Sequence, residues 1–166
     1  MLEVELQNPY HYQGLPSIQQ FNQWTNAALQ HNDNSHNGVR TLVIRIVDQS
    51  EGLQLNQDYR GKENATNILS FPFEAPPPEL VETLDFLHLG DLVICEPVLK
   101  QEAIQQNKSL QQHWAHLLVH GTLHLQGFDH ISDSDADIME ALEISILGKL
   151  GFANPYAEEF IPHNPI

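Results

Sequence analysis

Alternation of apolar and polar residues predicts four strands in the first part of the chain. Leu2 to Leu6 alternates apolar with acidic residues, as a half-buried strand does. Arg40 to Asp48 is apolar and β-branched, which is the strongest strand pattern in the sequence. Thr66 to Phe73 and Leu87 to Cys95 predict two further strands. Gly90-Asp91 inside the last strand indicates a bulge or a close approach of another backbone.

Helical spacing marks most of the remaining chain. After Pro16, which suits a first helical turn, apolar positions recur on one helix face at Ile18, Phe21, Thr25 and then Ala28 or Leu29. Further helices are predicted from about Ser50 to Gln57, from Pro97 to about Asn107, from Leu110 to Gln126, and from Ser134 to Lys149 after a capping-like Ser132-x-x-Asp135. Polar His31 to Gly38 and the run Pro76-Pro77-Pro78 are predicted loops.

Strands followed by helices predict an α+β fold. We expect a small mixed four-stranded sheet packed with about five helices. The pattern predicts a single domain over residues 1–153 and an irregular tail over residues 154–166, which contain three prolines.

Composition indicates where the protein is located and argues against a membrane or secreted protein. A chain of 166 residues is large enough to bury a core as one domain. It shows no repeat and no apolar run long enough to span a membrane, and its N-terminus lacks the pattern of a signal peptide. The single cysteine, Cys95, lies in an apolar run and is predicted to be a buried small hydrophobe. These features favour a cytoplasmic protein without membrane contact.

The formal charge of −15 argues against tight, nonspecific binding to nucleic acid, because phosphate affinity comes largely from Lys and Arg. The chain has seven such residues. Four of them are Arg40, Arg45, Arg60 and Lys62, while acidic residues concentrate elsewhere. A local basic surface on an acidic body therefore remains compatible with the sequence.

Candidate chemistry is concentrated in residues 120–130, which read His-Gly-Thr-Leu-His-Leu-Gln-Gly-Phe-Asp-His. On a helix, His120 and His124 lie on one face, one turn apart. Gly127 is predicted to end this helix in a left-handed conformation and to bring His130 back towards the pair. Three neutral imidazoles leave a zinc-like ion one open position, which is typical of a catalytic site. The chain contains ten histidines, so the alternative to a metal site is that this spacing arose by coincidence.

This spacing matches the ligands of metzincin proteases, but those enzymes carry a glutamate directly after the first histidine as general base. Here that position is Gly121, so peptide hydrolysis by their route is not expected. Two interpretations of Gly121 remain open. Its missing side chain either allows another element to pack closely against the helix or keeps the metal accessible to a bulky substrate.

Neighbouring residues are assigned supporting roles. His116 and His124 are about 12 Å apart along a helix, too far to share one ion, so His116 is predicted to pack or to support a ligand. His113 is predicted at the surface. Asp129 is expected to hydrogen-bond a ligand imidazole and fix its tautomer, although it is also able to ligate. Met139 is predicted to belong to the core.

A cationic site of this kind suits an anionic substrate and polarises a phosphoryl or carbonyl oxygen. Arg60 is the candidate second cation, because it lies in the glycine-containing loop Asp58-Tyr59-Arg60-Gly61-Lys62 and arginine grips phosphate with two donors. The alternative is a surface arginine in a salt bridge.

Together these blocks resemble the YbeY family, the bacterial rRNA maturation factors and single-strand-specific endoribonucleases. The resemblance rests on residues 120–130, on Leu55-Asn56 through Lys62 with Thr66-Asn67-Ile68-Leu69-Ser70-Phe71-Pro72, and on Leu89-Gly90-Asp91-Leu92-Val93-Ile94. It extends from about Val39 to Gly151. Two positions depart from the family pattern: Ala65 stands where proline is common and Asn67 where aspartate is common.

The resemblance implies that His120, His124 and His130 hold one zinc ion and that Arg60 is the functional arginine, with Lys62 and Ser70 predicted beside it as substrate contacts. It implies a metal-dependent endoribonuclease that cleaves single-stranded RNA in rRNA processing and ribosome quality control, with small-subunit proteins or assembly factors as partners. The rival hypotheses are a non-catalytic ribosome-assembly factor with a structural metal and a metallohydrolase with another substrate.

Overall fold

A computed structural model describes residues 1–30, 39–74, 77–81 and 86–156. Its strands are β1 (Leu2–Gln7), β2 (Val39–Val47), β3 (Ile68–Pro72) and β4 (Phe86–Cys95). Its helices are α1 (Ile18–Ala28), α2 (Gln49–Arg60), the one-turn α3 (Pro78–Val81), α4 (Glu96–Gln105), α5 (Leu110–Leu125) and α6 (Asp133–Lys149). All four predicted strands and five predicted helices are present, which confirms the α+β fold class. The predicted loop at 31–38 lies outside the described residues, as do Pro76 of the predicted proline loop and residues 157–166 of the predicted tail.

The sheet is mixed and has the order β1-β2-β4-β3. β1, β2 and β4 are parallel, and β3 runs antiparallel to β4 at one edge. The ladder between β2 and β4 shifts register at Thr41/Leu42, where the partners change from His88 to Gly90. A Cβ on Gly90 would lie 2.6 Å from the carbonyl oxygen of Phe71. The predicted bulge and the predicted close approach at this glycine are both confirmed.

Side-chain caps set the starts of the long helices. Ser17 and Gln20 form a capping box at α1, so Pro16 precedes the N-cap, and its predicted place in the first turn is wrong. Ser109 and Gln112 form a second box at α5. The predicted cap at α6 is confirmed, because the hydroxyl of Ser132 accepts a hydrogen bond from the Asp135 N–H. The α2 helix continues to Arg60, three residues beyond its predicted end at Gln57, and Gly61 ends it with φ +65°.

Apolar residues on the two faces of the sheet form two clusters. The larger one packs α1, α5 and α6 against Leu42, Ile44, Leu92 and Ile94 of β2 and β4. The Phe21 and Trp114 rings pack edge to face in this cluster, with centroids 5.6 Å apart. A smaller cluster on the other face joins β3 and β4 to Leu55 of α2 and Val98 of α4. The predicted burial of Cys95 and of Met139 is confirmed. None of the described helices is long and apolar enough to cross a membrane.

Candidate metal centre

The C-terminal end of α5 and the turn that follows it bring three histidines together. His120 and His124 stack one turn apart, with ring centroids 6.4 Å apart and planes at 6°. After the helix ends, Gly127 adopts φ +99° and its N–H donates to the carbonyl oxygen of His124. This left-handed residue reverses the chain, as its position predicts. The His130 ring then lies 5.5 Å from that of His120 and 6.2 Å from that of His124, between centroids.

The hydrogen bonds at Nδ1 define how two of these imidazoles are oriented. Nδ1 of His124 lies 2.9 Å from the backbone oxygen of Phe128. Nδ1 of His120 lies 3.1 Å from Oε1 of Glu143. Carbonyl and carboxylate oxygens only accept, so each Nδ1 carries the proton and each neutral ring keeps its lone pair on Nε2. Both rings therefore present Nε2 as a ligand atom.

Glu143 of α6 is buried, with 1% of its surface exposed, and holds two histidines at once. Its Oε2 lies 2.6 Å from Nε2 of His116 and accepts a second hydrogen bond, of 2.8 Å, from the hydroxyl of Tyr156. Burial by itself would raise the pKa of this carboxyl, but the hydrogen bonds from His116 and His120 outweigh it and lower the pKa to about 2. Burial also lowers the pKa of His116. The pair is therefore a carboxylate beside a neutral imidazole.

The carboxylate of Asp129 is placed differently from the prediction. Its Oδ1 accepts a 2.6 Å hydrogen bond from the backbone N–H of His130 rather than from an imidazole. The expected orienting role is carried by Phe128 and Glu143 instead, because their oxygens reach the Nδ1 atoms of His124 and His120. Among the described residues, the ligand atoms of His124, Asp129 and His130 lie within 4.8 Å of one another and form a group that is able to hold a metal ion. His120 is not part of this closest group, although its ring lies beside those of His124 and His130.

The chemistry of the donor set fits zinc. Imidazole nitrogen and carboxylate oxygen are both zinc ligands, and histidine ligands in such sites donate their second ring nitrogen to a carboxylate or a backbone carbonyl. His120 and His124 show both of these partner types. The side chain of His120 is 27% exposed, so it is not enclosed by the core.

The two histidines before the motif both have acidic partners. His116 contacts Glu143, whose other oxygen contacts the candidate ligand His120, so it lies where the predicted supporting role would place it. The prediction that His113 lies at the surface is wrong. It is 2% exposed, and its Nε2 lies 2.9 Å from Oε1 of Glu102, because α4 packs across the first half of α5 and supplies a polar partner there. Burial opposes ionisation of Glu102, but hydrogen bonds from His113 and Asn67 lower its pKa overall.

Gly121 provides room for the sheet. A Cβ at this position would lie 2.7 Å from Cδ1 of Ile68 and 2.8 Å from Cδ2 of Leu92. Of the two open interpretations, the structure supports close packing. Because Ile68 of β3 points at α5, Ser70 occupies the same face of that strand two residues later. The strand therefore places Ser70 on the side of the sheet that carries the candidate ligands.

The predicted basic residues have no hydrogen bonds to the three histidines among the described residues. Arg60 is the last residue of α2 and is exposed, and Lys62 follows it beyond Gly61. Within the described part of the chain, neither side chain forms an ion pair, and no hydrogen bond joins either of them to the three histidines. Arg45 of the predicted basic surface is neutralised by Glu51, with a 2.7 Å bond from Nε to Oε2 and a 3.0 Å bond from Nη2 to Oε1.

Sequence reasoning missed Glu143 and Tyr156. Glu143 lies four residues after Met139 and four before Leu147, both buried on the same face of α6. A carboxylate within an apolar helix face requires a buried hydrogen-bond donor. The position of Glu143 between two apolar residues was therefore the signal in the sequence that it has a buried partner. Its partner His116 lies 27 residues earlier, and no local periodicity connects the two.

Comparisons with known proteins identify relatives over most of the chain. Residues 7–151 match the family model described as Endoribonuclease YbeY. A protein of Colwellia psychrerythraea named Endoribonuclease YbeY is 52% identical over 145 residues, which cover 87% of this chain and 90% of that protein. A solution structure from Thermotoga maritima has a TM-score of 0.51 at 18% identity and covers 99% of this chain and 100% of its own. This last likeness concerns the fold alone.

Proposed function

The chain belongs to the YbeY family, and from this premise we propose that it is a metal-dependent endoribonuclease that cleaves single-stranded RNA. Its role would lie in rRNA processing and in quality control of the small ribosomal subunit, in the cytoplasm. The names of its relatives support cleavage of RNA. The metal dependence, the preference for single strands and the ribosomal role are our proposals.

The observation that carries the proposal is the convergence of three imidazoles, two of them held with Nε2 as the ligand atom. His120, His124 and His130 would hold one zinc ion. A zinc ion held in this way supplies a Lewis acid that stabilises charge on a phosphoryl oxygen. This chemistry suits a phosphodiester, and the glycine at position 121 leaves the protease mechanism without its carboxylate.

The chain's own residues would bind and orient the RNA. Arg60 is proposed as the residue that grips the scissile phosphate with two guanidinium donors, and the absence of an ion pair within the described residues leaves those donors available. Lys62 is proposed to add a second positive charge beside it. Ser70, on the face of β3 that packs towards α5, is proposed to donate its hydroxyl to the substrate backbone.

The acidic body of the protein bears on its partners. A net charge of −15 disfavours wrapping of RNA over a wide surface, so contact with RNA would be confined to the surface around the candidate metal centre. Basic small-subunit proteins or assembly factors would meet the remaining surface.

The test combines metal analysis with cleavage of single-stranded RNA by purified protein. His124→Ala should lose both zinc and cleavage, and Arg60→Ala should keep zinc and lose most of its cleavage. His88→Ala on β4 serves as a control for loss of a histidine elsewhere. If His124→Ala loses the metal but cleaves as before, the nuclease is a contaminant and the proposal fails. If Arg60→Ala cleaves normally, only the role of the arginine is lost.

A second candidate function is a non-catalytic assembly factor whose metal is structural. The observation that favours it is the position of Asp129, which is able to supply a fourth protein ligand and so close the site. Both functions predict that the protein holds zinc. They differ in whether a coordination position stays open, and RNA cleavage by the zinc-loaded protein separates them.

A further inference from the structure

The two oxygens of Glu143 serve different partners. Oε1 faces only His120 among the described residues, at 3.1 Å from its Nδ1. Oε2 accepts hydrogen bonds from Nε2 of His116 at 2.6 Å and from the hydroxyl of Tyr156 at 2.8 Å. With 1% of the residue exposed, water does not compete for these oxygens. The carboxyl group is therefore held in one orientation, with one oxygen directed at a candidate ligand.

Tyr156 reaches this carboxylate from the segment that follows α6. The segment is attached to the body of the protein at two other points. The Phe152 ring meets Trp24 with centroids 5.9 Å apart, and the ammonium of Lys108 donates a 3.0 Å hydrogen bond to the carbonyl oxygen of Pro155. Tyr156 lies five residues beyond the part of the chain that matches the family model, which ends at residue 151. The contact with Glu143 is thus supplied by a segment outside the matched region.

We propose that Glu143 is a positioning residue for the metal centre: held by His116 and by Tyr156 of the C-terminal segment, it fixes the orientation and the Nδ1-protonated tautomer of His120. The inference rests on the proposed metal site. It makes His116 a support rather than a ligand, because its Nε2 is committed to Glu143. It also gives the segment 152–156 a function in metal binding.

The physical effect is on the ligand. An imidazole that is free to rotate, or that exchanges its proton between the two nitrogens, offers Nε2 in the right direction for only part of the time. Removal of such a supporting partner weakens metal binding by about 10- to 100-fold in other sites. A glutamine at position 143 retains one acceptor oxygen for two imidazoles, so one of the two histidines loses its acceptor.

The test is the zinc affinity of the full-length protein, measured by competition with a chelator. Glu143→Gln should bind zinc about 10- to 100-fold more weakly than wild type. Tyr156→Phe should show a smaller loss in the same direction. The matched control is Glu102→Gln. It removes the carboxylate partner of His113, which lies on α5 like His116 and His120, but Glu102 contacts no candidate ligand. It should retain wild-type affinity, which rules out general destabilisation as the cause.

A spectroscopic readout completes the test. Long-range proton–nitrogen NMR of the zinc-free protein should show His120 as the Nδ1-protonated tautomer in wild type and as a mixture in Glu143→Gln. Equal zinc affinity in wild type and Glu143→Gln would overturn the inference, and equal affinity in Tyr156→Phe would remove the C-terminal segment from it. If wild type itself binds no zinc, the proposed function fails, and the tautomer of His120 in the zinc-free protein still decides the positioning role. If Glu143→Gln does not fold, the zinc-free wild type carries the test, and a His120 that is not the Nδ1-protonated tautomer there would overturn the inference.

Discussion

The imidazole Nδ1 of His124 lies 2.9 Å from the carbonyl oxygen of Phe128, so the backbone of the turn holds this candidate ligand. His120, one turn earlier, is held by the side chain of Glu143 instead. The two candidate ligands therefore depend on different parts of the molecule. The turn at Gly127 determines the position of one ring, and the packing of α6 on α5 determines the position of the other.

The first prediction concerns the turn. Gly127→Ala should destabilise the fold by about 1–2 kcal/mol, because a side chain is strained at its φ of +99°. It should also weaken zinc binding, since the turn positions the Phe128 carbonyl. Gly151→Ala is the matched control. Its φ is +92°, and both glycines have open space where a Cβ would be built, so the strain is similar but lies after α6. Chemical denaturation and zinc titration of both variants check this prediction. Equal zinc affinities in Gly127→Ala and Gly151→Ala would contradict the role of the turn.

The second prediction separates packing from helix propensity. Alanine is favoured over glycine in a helix by about 1 kcal/mol, yet Gly121→Ala should lower stability by about 1 kcal/mol net, because its Cβ would displace methyl groups of Ile68 and Leu92 that pack against the helix. Gly148→Ala in α6 meets nothing within 4 Å and should be neutral or stabilising. Urea unfolding midpoints measure both. A Gly121→Ala protein more stable than wild type would show that the helix–sheet contact is loose.

Local patterns in the sequence were sufficient for much of this molecule. The three histidines, the left-handed glycine and the caps of α6 are defined by spacings of a few residues, and such spacings translate directly into helix and turn geometry. The four strands were also predictable, because apolar and β-branched runs mark them.

The contacts that support the centre were not predictable in this way. Glu143 meets His116 and His120 across 27 and 23 residues, and His113 meets Glu102 across two helices. Which faces of α4, α5 and α6 come together is decided by the packing of the whole core, and a single sequence carries no periodicity that reports it. For the same reason His113, a polar residue near the start of a helix, was wrongly predicted at the surface.

The third prediction follows from the pKa values of the buried pair. The folded protein keeps Glu143 ionised down to a pH of about 2, while the unfolded chain takes up the proton near its ordinary value of 4.5. Stability is therefore lost as the pH falls through this range, by up to about 3 kcal/mol. The lowered pKa of His116 acts in the same direction from pH 6.5 downward, because the unfolded chain binds its proton first. Urea unfolding of zinc-free protein across this range should show the decline.

The control for this prediction lies on the same helix. Glu143→Gln should show a smaller decline between pH 4.5 and 2 than wild type. Glu140→Gln, an exposed carboxylate one turn earlier on α6, should leave the decline unchanged. A wild-type stability that is flat over this range would mean that Glu143 is protonated at its ordinary pH in the folded protein.

The fourth prediction uses a departure from the family pattern. The amide nitrogen of Asn67 donates to Glu102 at 3.0 Å from Oε1, and the same oxygen is 2.9 Å from Nε2 of His113. Asn67→Asp would set two carboxylates against each other, and should cost about 1–2 kcal/mol at pH 7. The loss should shrink as the pH falls and one of them is protonated. Asn64→Asp, on the exposed part of the same loop, is the control. The double variant Asn67→Asp with Glu102→Gln should recover stability, because the glutamine amide donates to the new aspartate.

The last prediction decides between an open and a closed metal centre. In the structure, the carboxylate of Asp129 is committed to the backbone N–H of His130, at 2.6 Å. An asparagine keeps an oxygen for this hydrogen bond but is a much weaker zinc ligand. If His120, His124 and His130 are the ligand set, Asp129→Asn should bind zinc within a few-fold of wild type and should still cleave RNA. A loss of zinc affinity as large as that of His124→Ala would make Asp129 the fourth ligand. The site would then be closed, and a structural metal would be the better account of the three histidines.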